Sequence, residues 1–302
     1  MKTVASASLV AAALALGHLP LAAAGDAKLR HLVSVYFDGG GVGLNQPEAV
    51  ACGSNGQFIV GDTGNNRLIR FTYGDRAVTG GTEIKVPQLS TPSRIHLGSN
   101  GEIYALDGKQ RRIVQLNGDG TFKKVLRFED APPPVSVIPK DFAVGAGDIL
   151  YVLDVFSARV LVVNNEGQFQ KALPFPKGIS FGSYLAVDAG GNVLLLDAIS
   201  RRLFSAEKNA DTFAALGGDL AEFLPTLPTS MTASKGVVFV VEGNAGSLVG
   251  FGRDGSFLTR QLTAGWTEGA LNYPAQMCVN DKDEVFIADR DNSRVQVFQL
   301  AR

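Results

Sequence analysis

Six times along the chain, about five mostly apolar residues end in an acid. These runs cover 57–62, 102–107, 149–154, 192–197, 237–242 and 284–289, and close on Asp62, Asp107, Asp154, Asp197, Glu242 and Asp289. The acids stand 45, 47, 43, 45 and 47 residues apart. Five residues after each acid a second run opens, headed by Arg67, Arg112, Arg159, Arg202, Ser247 and Arg294. Continuous apolar runs of this length, bounded by turn residues, predict strands buried on both faces. A lone hairpin cannot bury both faces of a strand, whereas two flanking sheets can. Gly/Asn/Asp turns precede each acid-terminated run. Before each turn lies another apolar stretch, opened by Pro47, Pro92, Pro139, Pro228 or Pro274, and by Gly182 in the fourth repeat. Further turns follow the second run, as at 117–120 and 253–255, and leave room for one more strand.

Each repeat therefore predicts a four-stranded antiparallel meander of about 45 residues, the size of a β-propeller blade. The sixth repeat stops at 299–302 without room for its fourth strand, and an unassigned strand-like segment, 29–37, precedes the first repeat. The predicted fold is all-β: a six-bladed propeller in which the 29–37 segment completes the last blade. That pairing removes the raw sheet edge at the seam.

The N-terminus carries a different pattern. Residues 4–24 are nearly uncharged, follow Lys2, and end in Ala22, Ala23 and Ala24, the form of a cleaved secretory signal. Gly17, His18 and Pro20 interrupt the apolar stretch, which argues against a membrane anchor. The expected organisation is a signal peptide over 1–24 and one propeller over 25–302. The mature chain is expected to be monomeric, without a membrane span, and exported to the periplasm or the extracellular space. Composition adds one exclusion. Lys+Arg is 28 against Asp+Glu 29, so no basic excess recruits nucleic acid.

The segments 60–71 (VGDTGNNRLIRF) and 287–298 (IADRDNSRVQVF) resemble the NHL repeat, in which a strand ending in Ala-Asp is followed by a short Gly/Asn turn and an Arg-led strand. The resemblance extends over 29–302 and fades in the fourth and fifth repeats. It implies a six-bladed propeller used for binding. Related six-bladed families include calcium-dependent lactonases, zinc-dependent amidating lyases and strictosidine synthase-like proteins. Some animal NHL domains bind RNA on one face, a use that the charge balance and the expected export oppose here.

The repeated acids and arginines, Asp62/Arg67, Asp107/Arg112, Asp154/Arg159, Asp197/Arg202 and Asp289/Arg294, read as pins across blade turns. Glu242 faces Ser247 and is expected to lack that partner. Two residues past each strand-opening Pro (or Gly182) stand Ala49, Arg94, Asp141, Tyr184, Ser230 and Gln276, a variable column expected near the channel mouth. With Glu48, Lys140, Trp266 and Tyr273, the members Arg94, Asp141, Tyr184 and Gln276 form the candidate ligand site. A zinc lyase needs several histidines, and past residue 24 only His31 and His96 remain. Asp141 and Glu48 leave open a divalent cation such as calcium at the channel, but no asparagine joins them in the column. No nucleophile-elbow motif supports a serine hydrolase. Cys52 and Cys278 can both face the gap between the first and last blades, which makes them candidates for a disulfide. The function expected is a non-catalytic platform for a protein, peptide or envelope component, with no cofactor. The alternative is a metal-dependent, lactonase-like hydrolase or lyase acting at the channel mouth.

Overall fold

The structure, a computed structural model, describes residues 28–179 and 181–301. The signal peptide expected over 1–24 lies outside these residues. Among the described residues, twenty-four strands form six four-stranded antiparallel sheets. After β1 (Lys28–Val35), blade 1 comprises β2 (Ala49–Cys52), β3 (Gln57–Asp62), β4 (Arg67–Gly74) and β5 (Ala77–Ile84). Blade 2 is β6 (Pro92–Leu97), β7 (Ile103–Asp107), β8 (Arg112–Leu116) and β9 (Phe122–Val125). Blade 3 is β10 (Pro139–Val144), β11 (Leu150–Asp154), β12 (Arg159–Val163) and β13 (Phe169–Pro174). Blade 4 is β14 (Gly182–Val187), β15 (Val193–Asp197), β16 (Arg202–Ala206) and β17 (Ala214–Leu216). Blade 5 is β18 (Pro228–Ser234), β19 (Val237–Glu242), β20 (Ser247–Phe251) and β21 (Phe257–Gln261).

Blade 6 contains β22 (Pro274–Val279), β23 (Glu284–Asp289) and β24 (Arg294–Ala301), and β1 is its outermost strand. The register runs from Lys28 opposite Ala301 to Val35 opposite Val295. The two ends of the described chain thus close the ring, as the residue count requires. No helix among the described residues is long and apolar enough to cross a membrane.

The continuous apolar runs serve two cores at once. In β3, Phe58 and Val60 pack towards Phe286 and Val295 of blade 6, while Ile59 joins Ile95 and Ile103 of blade 2. Alternate side chains leave opposite faces of a strand, so a sheet between two sheets needs apolar residues at every position. Six apolar clusters fill the gaps between neighbouring blades in this way. The seam between blades 6 and 1 is held further by Phe58 against Phe286, with ring centroids 4.9 Å apart. A disulfide joins Cys52 to Cys278 there, with Cα atoms 6.0 Å apart.

Each of the six repeat acids is fully buried. Each accepts a backbone N–H from the loop that leads into its own blade. The donors are Asn45 (2.7 Å), Ser90 (2.9 Å), Ile138 (3.0 Å), Phe181 (3.3 Å), Thr226 (2.9 Å) and Asn272 (2.7 Å). The acid sits at the end of the second strand, so this bond ties the lead-in loop to the turn between the second and third strands. Both therefore lie on one side of the wheel, here termed the loop face. The turns joining first to second and third to fourth strands lie on the other side.

Candidate functional site

On the loop face, polar side chains of the first strands cross the central channel as a plug. Arg94 of blade 2 reaches across the ring. Its Nη2 donates to the Thr229 carbonyl of blade 5 at 2.8 Å and its Nη1 to the Ser93 carbonyl at 2.7 Å. Its Nε stands 3.5 Å from Asp141 Oδ1 of blade 3, and its guanidinium lies 5.5 Å from the Tyr184 ring centre of blade 4. Gln276 of blade 6 makes a second cross-brace. Its Oε1 accepts from Val50 N–H and Ile95 N–H at 3.3 and 3.1 Å, and its Nε2 donates to the Ile95 carbonyl at 2.9 Å. Asp141 Oδ2 accepts the Leu185 N–H at 2.9 Å. Burial raises the Asp141 carboxyl above its ordinary range, against the pull of Arg94. These column residues are thus spent on backbone and on one another: Asp141 and Gln276 are buried and Arg94 is mostly so. The short Asp141 reaches only the next blade, whereas the longer Arg94 and Gln276 reach past it.

Above the plug lies the mouth. Arg290 Nε is 3.2 Å from Glu48 Oε1, and its guanidinium lies 5.3 Å from the Tyr273 ring centre. Tyr184 feels the charges of Arg94, Asp141, Tyr273 and Glu48, and Lys140 those of Arg94, Asp141, Arg111 and Glu48. Contacts thus bring Glu48 and Tyr273 together through Arg290, which the sequence did not single out, and Tyr184 against Arg94. Trp266 is elsewhere. Although 81% exposed, it precedes Thr267, which accepts from Arg294, and Glu268, which accepts from Tyr36 beside the outermost strand. Among the described residues, no group of three or more His, Cys, Asp or Glu side chains is placed to hold a metal ion.

The repeat acids and arginines show a graded pattern. Arg67, Arg159 and Arg294 donate through Nε to Asp62, Asp154 and Asp289 at 2.8, 3.1 and 2.7 Å. Arg112 instead donates to the Gln88 carbonyl at 2.6 Å, and Arg202 is exposed over the Phe204 ring. Burial pushes the Asp107 carboxyl up, but donors from Ser90, Gln110 and Lys109 outweigh it and hold it below the usual carboxylate range. Glu242 corrects the sequence reading. It has a cation, Arg260 of the outer strand, at 2.6 Å, and Ser247 donates to the same oxygen at 2.7 Å. The longer glutamate accommodates a partner one strand further out. In blades 1 and 6 alone, an asparagine three residues past the acid, Asn65 or Asn292, also donates to it, at 2.8 and 2.9 Å.

Those same two blades match the family model for the NHL repeat, over residues 44–71 and 271–298. Blades 1 and 6 are NHL repeats within a six-bladed propeller. Solved structures share the propeller's fold at low identity. Virginiamycin B lyase from Staphylococcus aureus is 12% identical, with a TM-score of 0.62, covering 91% of this chain and 100% of that one. A gluconolactonase from Xanthomonas campestris is 14% identical at 0.63, covering 94% of each. A chain of a nidogen/laminin complex is 16% identical at 0.58, covering 72% of this chain and 80% of that one. No curated protein sequence matches the NHL propeller.

One titratable group sits under the plug. His96 follows Arg94 on the same strand face, its ring edge-on to Phe142 with centroids 4.8 Å apart. Burial, reinforced by the charge of Arg94, lowers its pKa from 6.5 to about 4. The unfolded chain then takes a proton that the propeller refuses, so stability falls as pH drops from about 6.5 towards 4. Comparing urea denaturation at pH 7 and pH 4.5, His96→Gln should lose about 2–3 kcal/mol less than the native chain. Equal losses would show that His96 titrates as in water.

Proposed function

We propose that this NHL propeller is an exported binding platform for a protein, peptide or envelope component, docked on the loop face. One observation carries the reading. Among the described residues, eleven large hydrophobic side chains stand exposed, and nine of them are on the loop face. They come from the lead-in loops or turns of five blades, with Phe156 57%, Phe181 42% and Leu227 56% exposed on three adjacent ones. The other two, Phe122 and Phe257, begin outer strands on the opposite side. Apolar side chains gathered on one side of a wheel mark an interaction surface, where scattered ones would need no explanation. The leader-like composition of residues 4–24 supports export. The nidogen/laminin complex shows the same fold present in a protein–protein assembly.

The similar solved structures also include lyases and gluconolactonases. A hydrolase or lyase with a channel metal would need free carboxylates at the mouth. Asp141 is engaged by Arg94 and the Leu185 N–H, and Glu48 by Arg290. The platform reading is tested by retention of envelope components on immobilised protein. Phe181→Asp with Leu227→Asp should abolish retention, while Phe122→Asp with Phe257→Asp should preserve it. Equal retention by both variants would overturn the reading. A stoichiometric divalent ion in the purified protein would favour the enzyme.

A further inference from the structure

On the side of the wheel away from the loop face, a cavity of about 60 Å³ opens between blades 4 and 5. Both blades line it with the turns between their first and second strands, and blade 5 adds Arg253 from the turn between β20 and β21. The sequence explains why this gap stays open. Ala233, in its wall, occupies the innermost-strand position that carries Cys52, Leu97, Val144, Val187 and Val279 in the other blades, and is the smallest of the six. Ser205, opposite it, stands three residues past the head of the third strand, where blades 3 and 6 carry Val162 and Val297. Close packing tolerates few such truncations, so two on one gap leave space. Gly236 also lies in the wall, with φ at +85°. A Cβ there would stand 3.2 Å from Arg253 Nε, so the bare backbone lets the guanidinium lie against it.

The hydrogen-bonding capacity left unspent in this cavity is that of donors. Asp188 is the acid in the wall, and its oxygens already accept the Gly190 N–H, the Asn192 N–H and the Asn192 amide at 2.8, 2.9 and 2.9 Å. Asn192 Oδ1 accepts the Lys208 N–H at 3.2 Å. Asp254, beside Arg253 in the chain, takes the Ser256 N–H and hydroxyl at 3.0 and 2.6 Å. Lys235 donates to the Asp281 carbonyl and the Asp283 carboxylate at 3.0 and 2.8 Å, which leaves its third N–H. Arg253, Ser205 and Ser234 have no side-chain partner among the described residues. We propose that the cavity is an anion site, in which Arg253, assisted by the two serine hydroxyls and Lys235, receives a carboxylate or phosphate group. A guanidinium offers parallel N–H bonds to two oxygens of either oxyanion, and the hydroxyls donate to what remains. The space holds about four waters at roughly 15 Å³ each, the room of one such headgroup. The site lies opposite the loop face, so it stands or falls independently of the platform reading.

The test follows backbone amide and arginine Nε–H resonances of the full protein by NMR. Acetate and inorganic phosphate are the probes, with chloride at matched ionic strength as control. The Arg253 Nε–H and the Gly236 amide should shift saturably with at least one probe. Gly56 and Gly101, in the corresponding turns of blades 1 and 2 and also at positive φ, should not move. The tighter probe identifies carboxylate or phosphate as the preferred group. Arg253→Gln should weaken binding about tenfold, a change of roughly 1.4 kcal/mol. Ser205→Val copies Val162 and Val297, so it should fill the space and abolish binding while the urea midpoint is kept. Arg76→Gln, in the turn of blade 1 that corresponds to that of Arg253, should leave binding unchanged. Shifts that chloride reproduces, no saturation with either probe, or equal affinity in Arg253→Gln and the native chain would overturn the proposal.

Discussion

Replacing Cys52 and Cys278 together by alanine is expected to lower unfolding stability by up to about 5 kcal/mol. The bridge spans 226 positions, nearly the whole ring. In the chain-entropy account, a cross-link stabilises by restricting the unfolded chain, and the effect grows with the logarithm of the loop. The bridge also lies where the ring would open. Cys52 is on the innermost strand of blade 1, Cys278 on that of blade 6, and both pack on the cluster that contains Phe58 and Phe286. Alanine keeps that cluster apolar, so the cross-link alone is removed. Urea denaturation of the native chain with and without reductant should reproduce the alanine result. A midpoint that neither reductant nor substitution moves would mean that the bridge adds nothing beyond β1 pairing with β24.

The ring was legible in the sequence because its physics is periodic. A sheet between two sheets must be apolar at every position, so six runs of the same form mark six such sheets. The seam followed from the missing fourth strand of the last repeat, and Lys28–Val35 supplies it. The acids were visible, but their chief partner was not. Asp62 accepts from Asn45, 17 residues earlier, and Asp154 from Ile138, 16 residues earlier. The near-constant offset was present in the sequence, yet the donor is a backbone N–H that any residue supplies, so no side-chain pattern marks it. Glu242 was misread for a related reason, since Arg260 lies on the fourth strand, outside the repeated acid-to-arginine spacing.

Alignment at the strand-opening prolines picks out a column whose side chains meet around the channel, but spacing alone does not say whether a polar side chain meets solvent or a backbone amide. Arg94 and Gln276 are long enough to cross the ring, and crossing satisfies them. The other charged residues of the mouth lie one position earlier, at Glu48 and Lys140, or in a turn, at Arg290. Turns vary in sequence from blade to blade, so no column exposes them. Fold and site therefore differ in what they reveal: repetition betrays the scaffold, whereas the mouth is built from the places where the blades differ.

Arg294→Met is expected to destabilise by about 3–5 kcal/mol, whereas Arg202→Met at the equivalent position of blade 4 should stay within about 0.5 kcal/mol. The difference is environment. Arg294 is 1% exposed. Its Nε donates to Asp289 at 2.7 Å, its Nη1 to the Tyr36 hydroxyl at 3.0 Å, and its Nη2 to the Thr267 and Ala270 carbonyls at 2.8 Å each. One guanidinium thus joins the third strand of blade 6, its lead-in loop and the chain just past β1. Burial alone would lower the Arg294 pKa, but the bonds to Asp289 and Tyr36 raise it overall, so the charge is retained at any working pH. Methionine fills similar space without a donor. It leaves the Asp289 carboxylate buried with the Asn272 N–H, Asn292 and Gln296, and removes one donor to the Thr267 carbonyl, while the Ala270 carbonyl keeps Gln296. Arg294→Lys keeps the charge but not the fork, so it should fall between the native chain and Arg294→Met. Urea denaturation of the three variants checks the order. Equal midpoints for Arg202→Met and Arg294→Met would show that the seam does not depend on this residue.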